Sequence, residues 1–455
     1  MNFYTGDYYE LPVGATNISL TPQIAVFESG KTKFEKPGSA ILEFDIGGKH
    51  ARFDINVEKA KINLILINGQ SNASGEFGIY REEDATFPHL GSAYVWDFNR
   101  KCFIEDFHEP TPQWEPLFEK GEENKNSPLA RGFYSALADE LYNLGIKNSR
   151  VEKSLIVHSC RGGAPISDWI RTDGGEGDLI EQAVRRVNSA LDYIRENSDK
   201  YELSHLFMVW LQGEGAADEN GLTDAESYFS DFTKMAKTIN DRLSRPLDFT
   251  AIMAVRADQR IKEGKALYLQ ASRLAQYAST LKYENFFIAS NITESWNNPS
   301  EKYFFDGEIF DESRLGFTDI HYSQKGYDIM GKQAARSIYA HMHKNVPVSE
   351  IRLISSDGLT HYKSGDVISI SENKHVDGLD FGDGDDVSYL IPYTLPLGAK
   401  NHTVEFGIYD KDNKKIDGAI NEVGVIHAAK VTYPATLICK ATAEHRLESV
   451  FKLEK

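Results

Sequence analysis

Four short segments of the chain carry side chains that could together perform acyl transfer. They read Gly-Gln-Ser-Asn at 69–72, Gly-Gly-Ala-Pro-Ile-Ser-Asp-Trp at 162–169, Gln-Gly-Glu at 212–214 and Asp-Ile-His at 319–321. A serine hydroxyl attacks a carbonyl only when a histidine takes its proton and a carboxylate orients that imidazole. Glycine N–H groups and a side-chain amide can bind the oxyanion that forms. The four segments supply every member of such a set.

Each segment also has an explanation that involves no chemistry. Ser71 could be only a helix N-cap, because serine and asparagine are favoured there. The glycines at 162–163 could form an ordinary strand-to-helix turn, and 212–214 could be a solvated loop. A lone histidine such as His321 is more often a capping or surface side chain. Chemistry is favoured because the four segments occur together, each at a predicted strand end or helix start.

The elements that must position these segments alternate between strands and helices from residue 61 to 345. The apolar run 62–67, Ile-Asn-Leu-Ile-Leu-Ile, is typical of a strand buried on both faces. Similar runs predict strands at 154–157, 205–211, 250–255 and 286–289, and helical patterns occupy 127–144, 179–197, 224–243, 265–281 and 323–343. This order predicts an α/β fold with a parallel sheet between helices, and all four segments at its carboxyl edge.

Two parts of this region carry more specific expectations. The first helix has Ser127 as its expected N-cap, Pro128 at its first position and Gly145 just past its end. The insertion 75–126 has no clear period, and insertions of this kind often line a pocket. Its aromatic residues could form a sugar-stacking wall or pack as ordinary loop residues; they are Trp96, Phe98, Phe103 and Trp114.

The two flanks are predicted to be β-rich domains. Residues 1–60 contain strand-like runs at 25–27, 40–46 and 50–57, and a piece of this size has a marginal core, so it is expected to pack on another part of the chain. Residues 346–455 carry short strand-like runs at turn-sized spacing, which predicts an Ig-like β-sandwich. The expected domains are therefore 1–60, 61–345 and 346–455.

Composition excludes several classes of function. The 455 residues carry a net charge of −18, and no basic run suggests a nucleic-acid partner. No window resembles a membrane span, and the start lacks the regions of a signal peptide. The expected localisation is the cytoplasm or, if a leader peptide was removed, the cell surface or the extracellular space. The three cysteines are widely spaced, so no metal and no cofactor is expected; His341 and His343 are expected to be solvent-exposed.

Residues 62–343 resemble the sialate O-acetylesterase and acetylxylan esterase group, carbohydrate esterase family 6 and its relatives, within the SGNH hydrolase superfamily. The motifs that match are Gly-Gln-Ser-Asn at 69–72, Gly-Gly-x-x-Ile-x-x-Trp at 162–169, Gln-Gly-Glu at 212–214, and Asp-x-His at 319–321 followed by Gly-Tyr at 326–327. The resemblance implies a flavodoxin-like three-layer α/β/α domain, a metal-free serine mechanism and O-acetylated sugars as substrates.

The same resemblance assigns roles to residues. Ser71 would be the nucleophile and His321 the base, and the backbone N–H groups of Ser71 and of Gly162 or Gly163 would form the oxyanion hole with Gln212. Many SGNH hydrolases place the acid three residues before the histidine, whereas Asp319 stands two before it. Some relatives use the glutamate of Gln-Gly-Glu, so the acid is either Asp319 or Glu214.

The expected function is that of a serine esterase that removes acetyl groups from a carbohydrate, such as sialic acid or an acetylated polysaccharide. One alternative is a carbohydrate-binding or adhesion protein with an inactive hydrolase-like domain. Another is an esterase for non-sugar esters. The sequence identifies neither the sugar nor the oligomeric state.

Overall fold

A computed structural model describes most of the chain. The described residues are 1–28, 30–75, 83, 85–105, 107, 132–170, 179–214, 217–218, 221–222, 225–255, 266–293, 322–343, 346–356, 360–370, 387–399, 404–441 and 447–455. Segment 319–321, with Asp319 and His321, lies outside them, as do Ser127, Pro128 and Trp114. No described helix is both long enough and apolar enough to cross a membrane.

The first 58 residues form two small sheets, which confirms the predicted β-rich region. The strands are β1 Asn2–Tyr4, β2 Tyr8–Glu10, β3 Thr16–Thr21, β4 Ala25–Glu28, β5 Lys31–Phe34, β6 Gly38–Ile46 and β7 Lys49–Glu58. One sheet has the order β1-β7-β6-β3 and the other β2-β5-β4. Phe34, Leu42 and Phe44 are buried between them. This core is small, as a segment of this length dictates.

Charged contacts join these small sheets to the rest of the chain. The Lys153 ammonium, 1% exposed, lies 2.7 Å from the Asp7 carboxylate. Burial lowers the pKa of Lys153, and the charge of Asp7 opposes that shift. Glu105 accepts hydrogen bonds from the Tyr8 hydroxyl at 2.5 Å and the Lys33 ammonium at 2.6 Å. The amino-terminal sheets therefore pack on the next region through paired charges.

Among the described residues, the largest sheet has seven strands in the order β10-β9-β11-β8-β12-β15-β16. Its region contains β8 Ala60–Gly69, α1 Ser71–Ser74, β9 Ala93–Asp97, β10 Cys102–Ile104, α2 Tyr134–Lys147, β11 Lys153–Cys160, α3 Ile166–Trp169, α4 Leu179–Glu196, β12 Tyr201–Leu211, β13 Ala217–Asp218, β14 Gly221–Leu222, α5 Ala225–Arg242, β15 Phe249–Met253, α6 Ala266–Lys282, β16 Phe286–Ser290 and α7 Gln324–His343. The five strands predicted from sequence are all parallel neighbours in it. The α/β prediction is confirmed.

The central strand β8 shows why the sheet has a helical layer on each face. Leu64 and Leu66 belong to a buried cluster that includes residues of α4, α5 and α6. Ile65 and Ile67 belong to a second cluster with residues of α2 and α7. Side chains alternate between the faces of a strand, so a continuous apolar run requires cover on both sides. The result is the predicted three-layer α/β/α arrangement.

The end of α2 differs from its prediction. The helix passes through Gly145 and ends at Lys147, and its described beginning is Tyr134 rather than a residue near 127. The Gly145 carbonyl accepts the Arg150 N–H at 2.8 Å. A Cβ on Gly145 would lie 2.6 Å from the Arg150 carbonyl oxygen. The glycine is there because the following chain folds back against the helix, and not because the helix stops.

The irregular insertion contributes two strands at one side of the sheet, and the sequence pattern did not reveal them. β9 pairs with β11, and β10 pairs antiparallel with β9. Trp96 is 5% exposed and packs against Phe103 and Tyr193. Phe98 is partly buried against the same cluster. These three insertion aromatics therefore pack into the protein, and the hypothesis of a sugar-stacking wall is wrong for them.

The histidines near the end of α7 are buried, so the expectation that they are solvent-exposed is wrong. The His341 ring stacks on Phe287 with 4.3 Å between ring centroids. The side chain of His343 is 4% exposed and lies 2.9 Å from the carboxylate of Glu152. Both rings turn inward because α7 covers the sheet to its last residue.

The described part of the carboxy-terminal region forms two four-stranded sheets, which confirms a β-sandwich. Its strands are β17 Glu350–Ser355, β18 His361–Tyr362, β19 Val367–Ser369, β20 Val387–Leu395, β21 Val404–Tyr409, β22 Val425–His427, β23 Ala435–Ala441 and β24 Leu447–Glu454. The sheets have the orders β18-β17-β20-β22 and β19-β24-β23-β21. Leu353, Leu390 and Phe451 are buried in the sandwich core.

One sheet of the sandwich is buried on both faces. In β20, Leu390 faces the sandwich core, whereas Tyr389, Ile391 and Tyr393 join the cluster beneath α4, α5 and α6. The Tyr393 ring meets Tyr277 of α6 edge to face at 5.0 Å. This alternation is the signature of a strand between two apolar layers. The sandwich therefore docks on the helices α4, α5 and α6 of the α/β region through an apolar contact.

We propose that residues 346–455 contribute no catalytic side chain, although their removal exposes the Tyr277 surface. A chain ending at residue 345 is expected to hydrolyse a small acetyl ester at nearly the full kcat. Its melting temperature should fall, since apolar area returns to water at about 25 cal/mol per Å². Circular dichroism establishes folding and acetate release gives the rate. A folded, soluble truncation without small-ester turnover would contradict the proposal.

Candidate active site

Three strands of the largest sheet end side by side. In the register of the sheet, Gly69 of β8 lies between Cys160 of β11 and Leu211 of β12. The Arg161 N–H donates to the Gly69 carbonyl at 2.8 Å, and the Gln70 N–H donates to the Leu211 carbonyl at 3.2 Å. The segments 69–72, 162–169 and 212–214 therefore start from one carboxyl edge, where open α/β sheets bind their ligands.

Gly69 makes the sharp exit from β8 possible. Its φ is +140°, and a Cβ there would lie 2.0 Å from the Leu211 carbonyl oxygen. The chain enters α1 two residues later, at Ser71, which is 6% exposed. The N-cap of α1 is Gln70, so the explanation of Ser71 as an N-cap is wrong. Ser71 stands instead in the first turn of α1 at the strand junction.

Gly69→Ala is expected to destabilise the fold for two reasons. The added Cβ would clash with the Leu211 carbonyl oxygen, and alanine disfavours the positive φ at this position. The decrease in the free energy of unfolding should exceed the roughly 1–3 kcal/mol that backbone strain alone would cost. Gly163→Ala is the matched control: its φ is +69°, but no atom lies within 4 Å of the added Cβ. Urea unfolding of both variants measures the difference. Equal losses would show that the contact with Leu211 does not matter.

Gln212 is a fixed, buried side chain. Its amide nitrogen donates to the Ala164 carbonyl at 3.2 Å. Its backbone carbonyl accepts hydrogen bonds from the Tyr228 hydroxyl at 2.8 Å and the Gln276 amide at 2.7 Å. Gln212 and Glu214 are both buried, so the interpretation of 212–214 as a solvated loop is wrong. The segment is held rigidly and extends from β12 toward the loop after β11.

That loop carries the two glycines. Gly163 is exposed and in the left-handed region, and the Ala164 N–H closes the turn by donating to the Arg161 carbonyl at 3.4 Å. The short helix α3 follows and buries Ile166 and Trp169. The Trp169 ring meets Trp210 of β12 edge to face at 5.3 Å. The buried side chains anchor the loop, which leaves its glycine backbone at the surface of the edge.

Asn72 links two of the segments, and sequence reasoning gave it no role. Its amide nitrogen donates to a carboxylate oxygen of Glu214 at 2.6 Å, and its amide oxygen accepts from the Tyr327 hydroxyl at 2.8 Å. All three side chains are buried. The signals available in the sequence were the position of Asn72 directly after Ser71 and the Gly-Tyr pair at 326–327. The chain of contacts fixes the Glu214 carboxylate beside α1.

His158 lies near the end of β11, and the structure describes it, whereas His321 is outside the described residues. Burial and, to a smaller extent, the charge of Arg186 lower the pKa of His158 to about 3. Its ring packs against Tyr134 at 5.6 Å between centroids. A base works best when its pKa lies near the working pH. His158 is therefore poorly suited to replace His321 as a general base.

Comparison with known proteins identifies the family. A family model described as "carbohydrate esterase, sialic acid-specific acetylesterase" matches residues 61–299. No curated protein matches the chain. Among solved structures, a protein from Arabidopsis thaliana is 18% identical, with 61% of this chain and 97% of that chain covered and a TM-score of 0.37.

Two further solved structures are similar. NanS is 14% identical, covering 62% of this chain and 98% of its own, with a TM-score of 0.40. A carbohydrate acetylesterase from Xanthomonas citri is 12% identical, covering 96% and 91%, with a TM-score of 0.39. These sequence identities are too low for the substrate of any of these proteins to be assigned to this chain. The family match spans more than half of the 455 residues and includes the three segments at the sheet edge. The chain therefore belongs to the sialic acid-specific acetylesterase family of carbohydrate esterases, and it is a carbohydrate O-acetylesterase.

Proposed function

We propose that the protein removes acetyl groups from a sugar through a covalent acyl-enzyme formed on Ser71. The observation that carries this proposal is the meeting of three strand ends at Gly69, which brings Ser71, the Gly162–Gly163 loop and Gln212 to one edge. A nucleophile beside glycine N–H groups and an amide is what acyl transfer requires.

In the first half-reaction, the Ser71 hydroxyl oxygen attacks the acetyl carbonyl carbon while His321 accepts the hydroxyl proton. The tetrahedral intermediate carries its negative charge on the former carbonyl oxygen. When it collapses, the bond to the sugar oxygen breaks, and that oxygen takes the proton from His321. The products are the free sugar hydroxyl and acetyl-Ser71.

In the second half-reaction, water replaces the sugar. His321 removes a proton from the water as its oxygen attacks the acetyl-Ser71 carbonyl. Collapse of the second intermediate releases acetate and returns the proton to the Ser71 oxygen. No metal or cofactor is required, because serine, imidazole and a carboxylate supply all the proton transfers.

The oxyanion hole is proposed to contain the backbone N–H groups of Ser71 and of Gly162 or Gly163, together with the Gln212 side chain. A primary amide has two N–H donors. One donor of Gln212 is used by the Ala164 carbonyl at 3.2 Å, which orients the amide. The second donor can then face the developing negative charge. Because Gln212 is buried and held, it needs little reorganisation during the reaction.

The substrate class is the finer part of the proposal. We propose an O-acetylated sialic acid or an acetylated polysaccharide, and the alternative is an ester without a sugar. Acetate release should be measured across acetylated sialic acid, xylan and mannan and a simple aryl acetate. A kcat/KM that is highest on one sugar supports the proposal. Equal or higher values on non-sugar esters would favour the alternative.

A further inference from the structure

Two histidines and a glutamate, side chains of the types that bind metals, lie together at the opposite edge of the largest sheet. Glu152, His205 and His343 each place one ligand atom within 4.8 Å of the others. Glu152 contacts Asn63 of β8, six residues before Gly69. At about 3.3 Å per strand residue, the group is roughly 20 Å from the carboxyl edge. It is therefore separate from the proposed catalytic residues.

Three different elements bring these ligands together. Glu152 directly precedes β11, and His343 is the last residue of α7. His205 follows a bulge in β12, where Ser204 is the extra residue opposite β8. Adjacent strand residues normally point to opposite faces, and a bulge changes their direction. As a result, both neighbours face the same group. The Ser204 hydroxyl donates a hydrogen bond to Glu152, and the centroid of the His205 ring lies 5.4 Å from that of His343.

Neighbouring side chains orient two of the three ligands, Glu152 and His205. The carboxylate of Glu152 accepts hydrogen bonds from Ser204 at 2.8 Å and from Asn63 at 3.0 Å. Nδ1 of His205 lies 3.4 Å from the Asp248 carboxylate. Carboxylates behind histidine ligands orient the ring and strengthen it as a donor.

We propose that Glu152, His205 and His343 bind one divalent transition-metal ion of the Zn²⁺ type. Two imidazoles and one carboxylate are ligands that Zn²⁺ accepts, and water completes four-coordination. Nε2 of His343 now lies 2.9 Å from Glu152, and the ion would replace the proton between them. At Zn–N and Zn–O distances of about 2.0–2.2 Å, tetrahedral donors lie about 3.3–3.6 Å apart. The Glu152 and His343 donors must therefore move slightly apart, and His205, whose donor lies within 4.8 Å of both, completes the protein ligands.

Arg150 competes with the ion. Its guanidinium lies 2.8 Å from Nδ1 of His343. When Nε2 of a neutral imidazole binds a metal, Nδ1 carries the proton and can no longer accept a hydrogen bond. The exposed Arg150 side chain must then turn into solvent. The ion would link β11, β12 and the end of α7, so its role is to stabilise the fold rather than to take part in catalysis.

Calorimetric titration of the full chain with Zn²⁺ tests the site. We expect one ion per chain for the natural protein and for His50→Ala, which removes an exposed histidine elsewhere. The variants His205→Ala, His343→Ala and Glu152→Gln should bind at least about tenfold more weakly, since loss of a supporting residue alone costs 10–100-fold. Zn²⁺ should also raise the melting temperature of the natural protein. Acetate release should be the same with EDTA.

Arg150→Ala keeps all three ligands and tests the site if a ligand variant fails to fold. It should bind Zn²⁺ as tightly as the natural protein or more tightly. Lack of Zn²⁺ binding to the natural protein would overturn the proposal. Equal affinity in the folded ligand variants, or weaker binding by Arg150→Ala, would do so as well.

Discussion

Ser71→Ala is expected to lower kcat for acetate release by about 10⁶-fold, the usual cost of losing a nucleophilic serine. The removed atom is the one that would form the acyl-enzyme, and neither Gln212 nor His321 can replace it. Ser71 is buried at the start of a four-residue helix, and alanine fits that helix well. The fold should therefore remain intact. Steady-state turnover of a small acetyl ester, with circular dichroism as the folding check, measures both expectations.

Chemical labelling distinguishes loss of the nucleophile from indirect damage. A fluorophosphonate probe should label the natural protein at Ser71 and leave Ser71→Ala unlabelled. Ser74→Ala is the matched control, because Ser74 lies in the same helix and its hydroxyl only donates to the Ser71 carbonyl at 2.9 Å. Substantial turnover by folded Ser71→Ala would remove Ser71 from its proposed role. A natural protein that resisted labelling would favour the non-catalytic binding function.

Asp319→Asn is expected to lower kcat by a factor approaching about 10⁴, with little change in substrate binding. We propose Asp319 as the acid because residues two apart in an extended segment would point to the same side, towards a shared partner. Glu214→Gln should act more weakly. Glutamine keeps an oxygen that can accept the Asn72 amide hydrogen, so the buried contact survives the loss of charge.

Glu214 is the competing candidate for the acid. It is 1% exposed and fixed by Asn72, and a carboxylate accepts several hydrogen bonds, so it could also orient the His321 ring. Both variants should be assayed side by side on one small ester. Tyr327→Phe is the control, because it removes the hydroxyl that donates to Asn72 and leaves the Glu214 carboxylate in place. If kcat fell strongly in Glu214→Gln and stayed near the natural value in Asp319→Asn, the acid would be Glu214 and not Asp319.

Local sequence patterns were sufficient to predict much of the largest sheet. The run 62–67 is apolar at nearly every position, which requires cover on both faces, and β8 indeed lies between two buried clusters. Helices α4 and α5 begin and end within one residue of their predicted positions. The placement of three motifs at one edge followed from the parallel order alone, because parallel strands end on the same side.

Tertiary structure alone decided how the motifs and surfaces are connected. Asn72 meets Glu214 across 142 residues of chain and Tyr327 across 255, and no local pattern encodes such pairs. Strand β9 forms because β11 offers it a partner, and β10 then pairs with β9, although their own sequence has no clear period. His343 was expected in solvent and is instead buried against Glu152. Local periodicity predicts which residues of a segment are buried. Which distant residues they contact depends on the arrangement of the whole fold.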